Sequence, residues 1–145
     1  MTDFDTSANS LRSGFEGEVF IPGDDGYDTA RAVWNAMIDR RPRLIARCRS
    51  VGDVIAAVKF ARVQGLPVSI RGGAHNVAGH AVCDDGVMID LSLMRSVSVD
   101  QAARRADVEG GAIWRDVDTA TQPFGLATPG GLISDTGVAG LTLSG

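Results

Sequence analysis

The most constraining feature of this chain is the stretch from Pro67 to His80, Pro-Val-Ser-Ile-Arg-Gly-Gly-Ala-His-Asn-Val-Ala-Gly-His. An apolar, β-prone segment runs directly into Arg71-Gly72-Gly73-Ala74-His75-Asn76. Small residues there let the backbone turn tightly and present its N–H groups to an anion. A second small-residue tract, Thr128 to Gly145, has the same character and is expected to form the opposing wall.

The preceding residues read as the support for that turn. Arg43 to Arg47 reads as a strand, and Ser50 with Asp53 three residues later is a capping-box-like helix start. The helix carries Val51, Val54, Ile55, Val58 and Ala61 along one face, and Gly65 is placed to end it as a left-handed cap. Leu66 to Ile70 is the next strand. Strand, amphipathic helix and strand make a βαβ unit with a right-handed crossover, whose second strand delivers the Arg-Gly-Gly turn.

Further on, Gly86 to Leu91 reads as a buried strand, and Ser96 to Asp100 pairs with Arg104 to Glu109 as a hairpin. A helix is expected from Ala112 to Gln122, with Ile113, Val117 and Ala120 at helical spacing, Trp114 packed close to them, and Pro123 and Gly125 ending it. Upstream, Leu11 and Phe15 four apart suggest a short, weakly docked helix. A short extended piece follows and ends at Pro22-Gly23. The spacing of Ala30, Val33, Trp34 and Met37 predicts a helix over 27–39 with Trp34 in the core. Residues 1–39 are therefore read as an N-terminal extension with short helices, and 40–145 as the principal domain.

Composition excludes several classes. At 145 residues, with 44% hydrophobic and 22% charged, the chain has the make-up of one soluble globular domain. Its 18 glycines exceed the roughly 7% of average proteins and concentrate after residue 64. A formal net charge of −4 gives no general attraction to nucleic acid or to anionic membranes. Arg43, Arg47 and Arg49 alternate onto one face, read as solvated. Cys48 and Cys83 are too few for a disulfide framework and lack metal-ligand spacing, so both read as reduced thiols. The N-terminus has no signal-peptide pattern, which gives the expectation of a cytoplasmic location.

The residues alone leave the chemistry of the turn open. No Gly-Lys-Ser or Gly-Lys-Thr follows, so it is not a Walker loop, and the Gly-x-Gly-x-x-Gly spacing of a dinucleotide fingerprint is missing. A phosphate-binding turn and a plain tight turn both fit. His75 reads either as an ordinary surface or satisfied core histidine or as a base or nucleophile. Metal binding needs more ligands than His75 and His80 supply, and Asp84 and Asp85 read as turn residues.

Two motifs together carry a family resemblance. Arg-Pro-Arg-Leu-Ile-Ala-Arg-Cys-Arg-Ser-Val-Gly-Asp-Val, followed by Gly65 through Asn76, closely resembles the start of the PCMH-type FAD-binding domain of flavin-linked oxidoreductases of the vanillyl-alcohol-oxidase fold. Thr128-Pro129-Gly130-Gly131 through Gly137-Val138-Ala139-Gly140-Leu141-Thr142-Leu143-Ser144-Gly145 is similar to the second flavin-binding tract of the berberine-bridge-enzyme-like branch. The resemblance covers residues 18–145. It implies an α+β fold: an N-terminal βαββ subdomain plus the start of a second α/β subdomain, incomplete here.

The resemblance also implies roles. FAD would be bound by Arg71, Gly72, Gly73, Ala74, His75, Asn76, Gly79 and His80 of the first tract and by Pro129, Gly130, Ser134, Gly137, Val138, Gly140 and Leu141 of the second. The amides of Gly72 to Asn76 would hold the pyrophosphate. His75 takes the position of the histidine that bonds covalently to a methyl group on the isoalloxazine ring. Ile133 stands where some members carry a second, cysteinyl link, so the resemblance implies monocovalent attachment. Thr136 falls near the site linked to oxygen access. Ala74 replaces a glycine common at its position, which asks whether an alanine there keeps an ordinary backbone.

The implied activity is hydride transfer from an alcohol, sugar or secondary-metabolite substrate to the flavin. Members of the family continue well past this length and commonly carry a catalytic tyrosine near their end, whereas the single tyrosine here is Tyr27. The chain is thus expected to be an N-terminal fragment, by itself inactive. Leu141 and Leu143 would then face a core completed elsewhere, an apolar patch that favours self-association. The alternatives are a non-catalytic flavin- or nucleotide-binding fragment and an interaction module whose glycines only make turns.

Overall fold

Asp53 is the residue that locks the central helix to its sheet. In the computed structural model, which describes residues 3–144, Ser50 Oγ accepts the Asp53 N–H at 3.3 Å and starts helix α3, Val51–Gln64. The buried Asp53 carboxylate accepts from the N–H groups of Glu16, Gly17 and Arg49 at 2.9, 3.0 and 2.9 Å. Gly65 ends the helix at φ 65, the left-handed cap its position predicts.

That anchoring decides which helix face turns inward. Asp53, Ala57 and Ala61 are buried against the sheet with Val54 and Phe60 beside them, whereas Val51, Ile55 and Val58 are exposed, at 66%, 49% and 48%. The expected face of Val51, Val54, Ile55, Val58 and Ala61 is therefore corrected: only Val54 and Ala61 point to the core. Apolar residues surround much of this helix, so periodicity could not choose among them, while two alanines permit the closest approach of helix to strand.

The strands are β1 Glu18–Phe20, β2 Leu44–Arg47, β3 Val68–Arg71 and β4 Val87–Asp90, and they form a sheet in the order β1-β2-β4-β3. β1 is antiparallel to β2, and β2 and β3 both run parallel to β4. The βαβ unit is thus present with β4 inserted between its two strands. Every residue of β4 is buried, as a strand covered on both faces requires.

One core lies between the sheet and the helices α3 and α1, Asp3–Ser13, where Leu44, Ala46, Val87 and Ile89 meet Phe4 and Ala8. The opposite face carries a smaller cluster of Ile45, Met88 and Val82 with Tyr27 and Ala30. Each fully buried aliphatic side chain here contributes about 1.5–3 kcal/mol. Tyr27 donates its hydroxyl proton to the Pro42 carbonyl at 2.6 Å.

Three further expectations need correction or extension. The helix that begins at Tyr27, α2, ends at Arg31, and Trp34 and Met37 are exposed at 76% and 90%. At Ala32 the backbone turns extended, Asn35 closes a local turn with Ile38, and the Trp34 N–H and the Arg40 side chain bond to carbonyls of the 74–82 loop rather than within a helix. Of the three arginines expected on a solvated face, Arg43 and Arg49 are exposed and only Arg47, in β2, is partly buried. Arg47 is bound to Glu18 and to Asp90, which is 0% exposed, and the Arg43 guanidinium lies 4.0 Å from the Phe4 ring centroid. Burial works against the Arg47 charge, but its hydrogen bonds to Asp90 and Glu18 outweigh burial and hold its pKa above the usual value.

β5 Val97–Asp100 and β6 Arg105–Val108 form the expected antiparallel hairpin, with Val97 opposite Val108. Helix α4, Trp114–Thr121, follows with Trp114 and Val117 buried, then a 3₁₀ turn over Gln122–Phe124 closed by Gly125 at φ 63. The second tract ends in a helix that the sequence reading did not contain, α5, Val138–Ser144. Cys48 and Cys83 are both free thiols.

Candidate cofactor site

Strand β3 ends at Arg71, and the Leu91 N–H fixes its carbonyl at 2.9 Å. The turn that follows is closely apposed to the second tract. A Cβ built on Gly73 would lie 2.4 Å from Gly137 N, and one built on Gly137 would lie 2.5 Å from Gly73 N. Only glycine at both positions lets the two backbones touch.

Gly137 is held there from behind. It bridges to Ile113, the Trp114 N–H donates to Thr136 O at 3.1 Å, and the Val138 N–H donates to Ala112 O at 3.0 Å. Gly130 and Gly131 lie against the Trp114 ring, where a Cβ would come within 2.4 and 2.9 Å. The start of α4 thus organises the second tract.

The two tracts enclose a cleft of about 350 Å³. Gly72, Gly73, Ala74, His75, Asn76 and His80 line one side; Gly137, Gly140 and Leu141 line the other. Thr136 lies in the same wall. Ile70, Ala81 and Ser144 also line it, and nothing in the sequence pattern singled them out.

Among the described residues, none of the N–H groups from Gly72 to Asn76 donates to a backbone or side-chain acceptor. All five of these residues line the cleft, and backbone N–H groups without an internal acceptor at a strand end suit phosphate oxygens. On the opposite wall a Cβ at Gly140 would meet nothing within 4 Å. The donor set, the glycine wall and the cleft therefore fit a dinucleotide pyrophosphate. Ala74 answers the question its identity posed: it sits at φ 61, in the left-handed region, at a cost of about 1 kcal/mol for a side chain.

Other expected site residues are placed elsewhere. The Arg71 side chain is turned back into the fold, donating from Nη1 to Ala30 O at 2.6 Å, with Nε 3.8 Å from Asp90 Oδ1. It braces the strand and takes no part in lining the cleft. Gly79, at φ 76, is buried under Ile38, and the Asn76 Oδ1 accepts the His80 N–H at 3.0 Å to close that loop. Pro129 and Val138 line a separate groove of about 390 Å³ beside β5, β6 and α4. Gly130 packs on Trp114, and Ser134 accepts the Arg115 N–H through its carbonyl at 2.9 Å. Ile133 is exposed, and no cysteine lies beside it in the second tract.

Sequence reasoning missed one neighbour of His75. The Trp34 ring centroid lies 4.8 Å from that of His75, with the planes at 50°. Helical spacing had sent this side chain to the core. No group of three or more His, Cys, Asp or Glu side chains able to hold a metal ion occurs among the described residues. No helix there is long and apolar enough to cross a membrane.

A family model described as an FAD binding domain matches residues 42–145. (R)-6-hydroxynicotine oxidase of Paenarthrobacter nicotinovorans is 42% identical over 130 residues, 90% of this chain and 28% of that protein. An FAD-linked oxidoreductase of Dictyostelium discoideum is 36% identical over 138 residues, 94% of this chain and 30% of that protein. The crystal structure of 6-hydroxy-D-nicotine oxidase from Arthrobacter nicotinovorans superposes with a TM-score of 0.85 at 41% identity, over 88% of this chain and 28% of that one. The chain thus spans less than a third of the length of these relatives. With its glycine-walled cleft and free amide array at the matched residues, the chain belongs to the FAD-binding-domain family of the FAD-linked oxidoreductases.

Proposed function

We propose that this chain is the first part of the cofactor domain of an FAD-dependent oxidoreductase of the berberine-bridge-enzyme-like branch, with FAD attached covalently and singly through His75. The observation that carries the reading is the row of free N–H groups from Gly72 to Asn76, with the His75 side chain in the same cleft. The amides of the turn bind the pyrophosphate, the Gly73–Gly137 contact sets the width of the cleft, and His75 supplies the ring nitrogen for the link. FAD, when bound, accepts a hydride from an alcohol, sugar or secondary-metabolite carbon of a small-molecule substrate. Residues 40–145 are read as the incomplete FAD-binding PCMH-type domain and 1–39 as its N-terminal extension, in a cytoplasmic protein. Leu132, Ile133 and Leu143 are exposed and support self-association of the chain by itself through this apolar edge.

The test is expression with FAD, acid precipitation, and mass analysis of the peptide containing His75. A yellow pellet and a mass increase of one FAD on that peptide, both lost in His75→Ala, are expected. A colourless pellet from protein that binds FAD reversibly refutes the covalent link. Protein that takes up no FAD refutes the cofactor reading.

A further inference from the structure

Residues 32–40 form a strap over the loop that carries His75. The Trp34 N–H donates to Ala74 O at 3.1 Å, and the Ile38 side chain covers Gly79. Arg40 Nη1 donates to the carbonyls of Gly79 and Val82 at 2.9 and 3.0 Å. Asn35 Nδ2 donates to Val77 O at 3.4 Å. These contacts give the strap a structural purpose, but they do not explain its largest side chain. The Trp34 indole is 76% exposed, and the ring it touches is the His75 imidazole.

A large exposed indole gains little from burial at this position, so packing does not account for its being there. Its geometry fits an aromatic pair, within the 4.5–7 Å of favourable centroid separations. Because the Trp34 backbone N–H is bonded to the Ala74 carbonyl, the Cα that carries the indole is held one residue from His75. The indole therefore limits the rotation of the imidazole about its χ angles, on a loop whose other side chains at 76–78 are exposed.

We infer that Trp34 is a positioning residue for flavin attachment, holding the His75 ring in the orientation from which its nitrogen reaches the isoalloxazine methyl carbon. The inference rests on the covalent reading of His75. In the attachment a methyl C–H and the imidazole N–H break and an N–C bond forms. The two electrons pass into the flavin ring system, and dioxygen then takes them, with two protons, as hydrogen peroxide. Trp34 takes no part in the bond changes. It raises the fraction of time the ring nitrogen is in reach.

The experiment compares wild type, Trp34→Leu and Trp34→Phe in the full native chain. The apoprotein is mixed with FAD in aerated buffer, and acid-stable flavin is followed with time. Reversible FAD affinity is measured from the first seconds of the same mixing, and 13C-histidine NMR reports the His75 ring protons. Trp34→Leu is expected to slow attachment about tenfold, the bias an aromatic pair of this kind exerts. Its reversible affinity should change less than about threefold, and its His75 protons should lose their indole ring-current shift. Trp34→Phe should recover most of the rate, which a merely structural role of the strap would not explain. Attachment by Trp34→Leu at the wild-type rate overturns the inference, as does a folded Trp34→Phe no faster than Trp34→Leu. Wild type that binds FAD but forms no adduct overturns the covalent reading, and this inference with it.

Discussion

The contact between Gly73 and Gly137 makes a quantitative prediction. A methyl added at Gly73 would lie 2.4 Å from Gly137 N and 2.6 Å from its Cα, and ordinary contact begins at 3.4 Å, so one backbone must retreat by 3.4 − 2.4 = 1.0 Å. Neither can do so freely. The Gly73 turn is tied through Leu91 N–H to Arg71 O and Trp34 N–H to Ala74 O, and Gly137 through Val138 N–H to Ala112 O. Gly73 does not sit at positive φ, so the cost is steric rather than dihedral. Overpacking of this kind costs about 1–3 kcal/mol. Taking about 2 kcal/mol, and about 2–4 °C per kcal/mol for a domain of this size, Gly73→Ala lowers Tm by about 4–8 °C.

Gly137→Ala meets the same contact from the other side, at 2.5 Å. Because both methyls force the same separation, the double variant loses less than the sum of the singles. Gly52→Ala is the control: its methyl finds only Ser50 Oγ, at 3.4 Å, inside α3, and gains about 0.5–1 kcal/mol of helix stability. Thermal denaturation gives the stabilities, and acid-stable flavin after incubation with FAD gives the function. Flavin uptake should fall in both cleft variants and hold in Gly52→Ala. Gly73→Ala within about 0.5 kcal/mol of wild type, with full flavin uptake, refutes the reasoning, since surface substitutions lie in that range.

The other predictions concern ionisation. The hydrogen bond from Arg95 holds Asp116 below the ordinary carboxylate range, and the Ile113 N–H adds to it. A depressed folded pKa contributes stability that is present above the unfolded value of about 3.9 and is lost as pH falls through the folded value. The stability gap between wild type and Asp116→Asn should therefore be constant from neutral pH to about 5 and close below about 4. A gap that ignores pH would show that this carboxylate is not anchoring the start of α4. Burial pushes the Cys48 thiol up to about 12, with Asp53 and Asp90 adding to it. At pH 8 a disulfide reagent should modify the partly exposed Cys83 first and Cys48 only on unfolding, because the thiolate is the reactive form. Equal rates for the two thiols in native protein would contradict the full burial of Cys48 just after β2.

How much was legible varied with how local the signal was. Ser50, Asp53 and Gly65 mark the ends of α3 because capping uses side chains and dihedrals within a few residues of the helix end. The β5–β6 hairpin was legible for the same reason. The apolar spacing around Trp34 matches a helix, while carbonyls of Ala74, Gly79 and Val82, some forty residues away in the chain, accept the hydrogen bonds that hold its segment. The resemblance assigns Arg71 to the cofactor, but its guanidinium answers to Ala30 and Asp90, partners that no local pattern reveals.

The sequence by itself determined that a strand ends in a run of small residues with a histidine, that a second such tract follows, and that both resemble a flavin site. Those are properties of residue type and order, fixed before any folding. The tertiary structure decided which of those residues share the cleft, because Gly73 and Gly137 meet only when β3 and the segment after α4 are brought together. It separated Pro129, Gly130, Ser134 and Val138 from the cleft and drew Trp34 onto His75. Contacts between distant segments depend on how the sheet and helices pack, and that packing is a property of the whole chain.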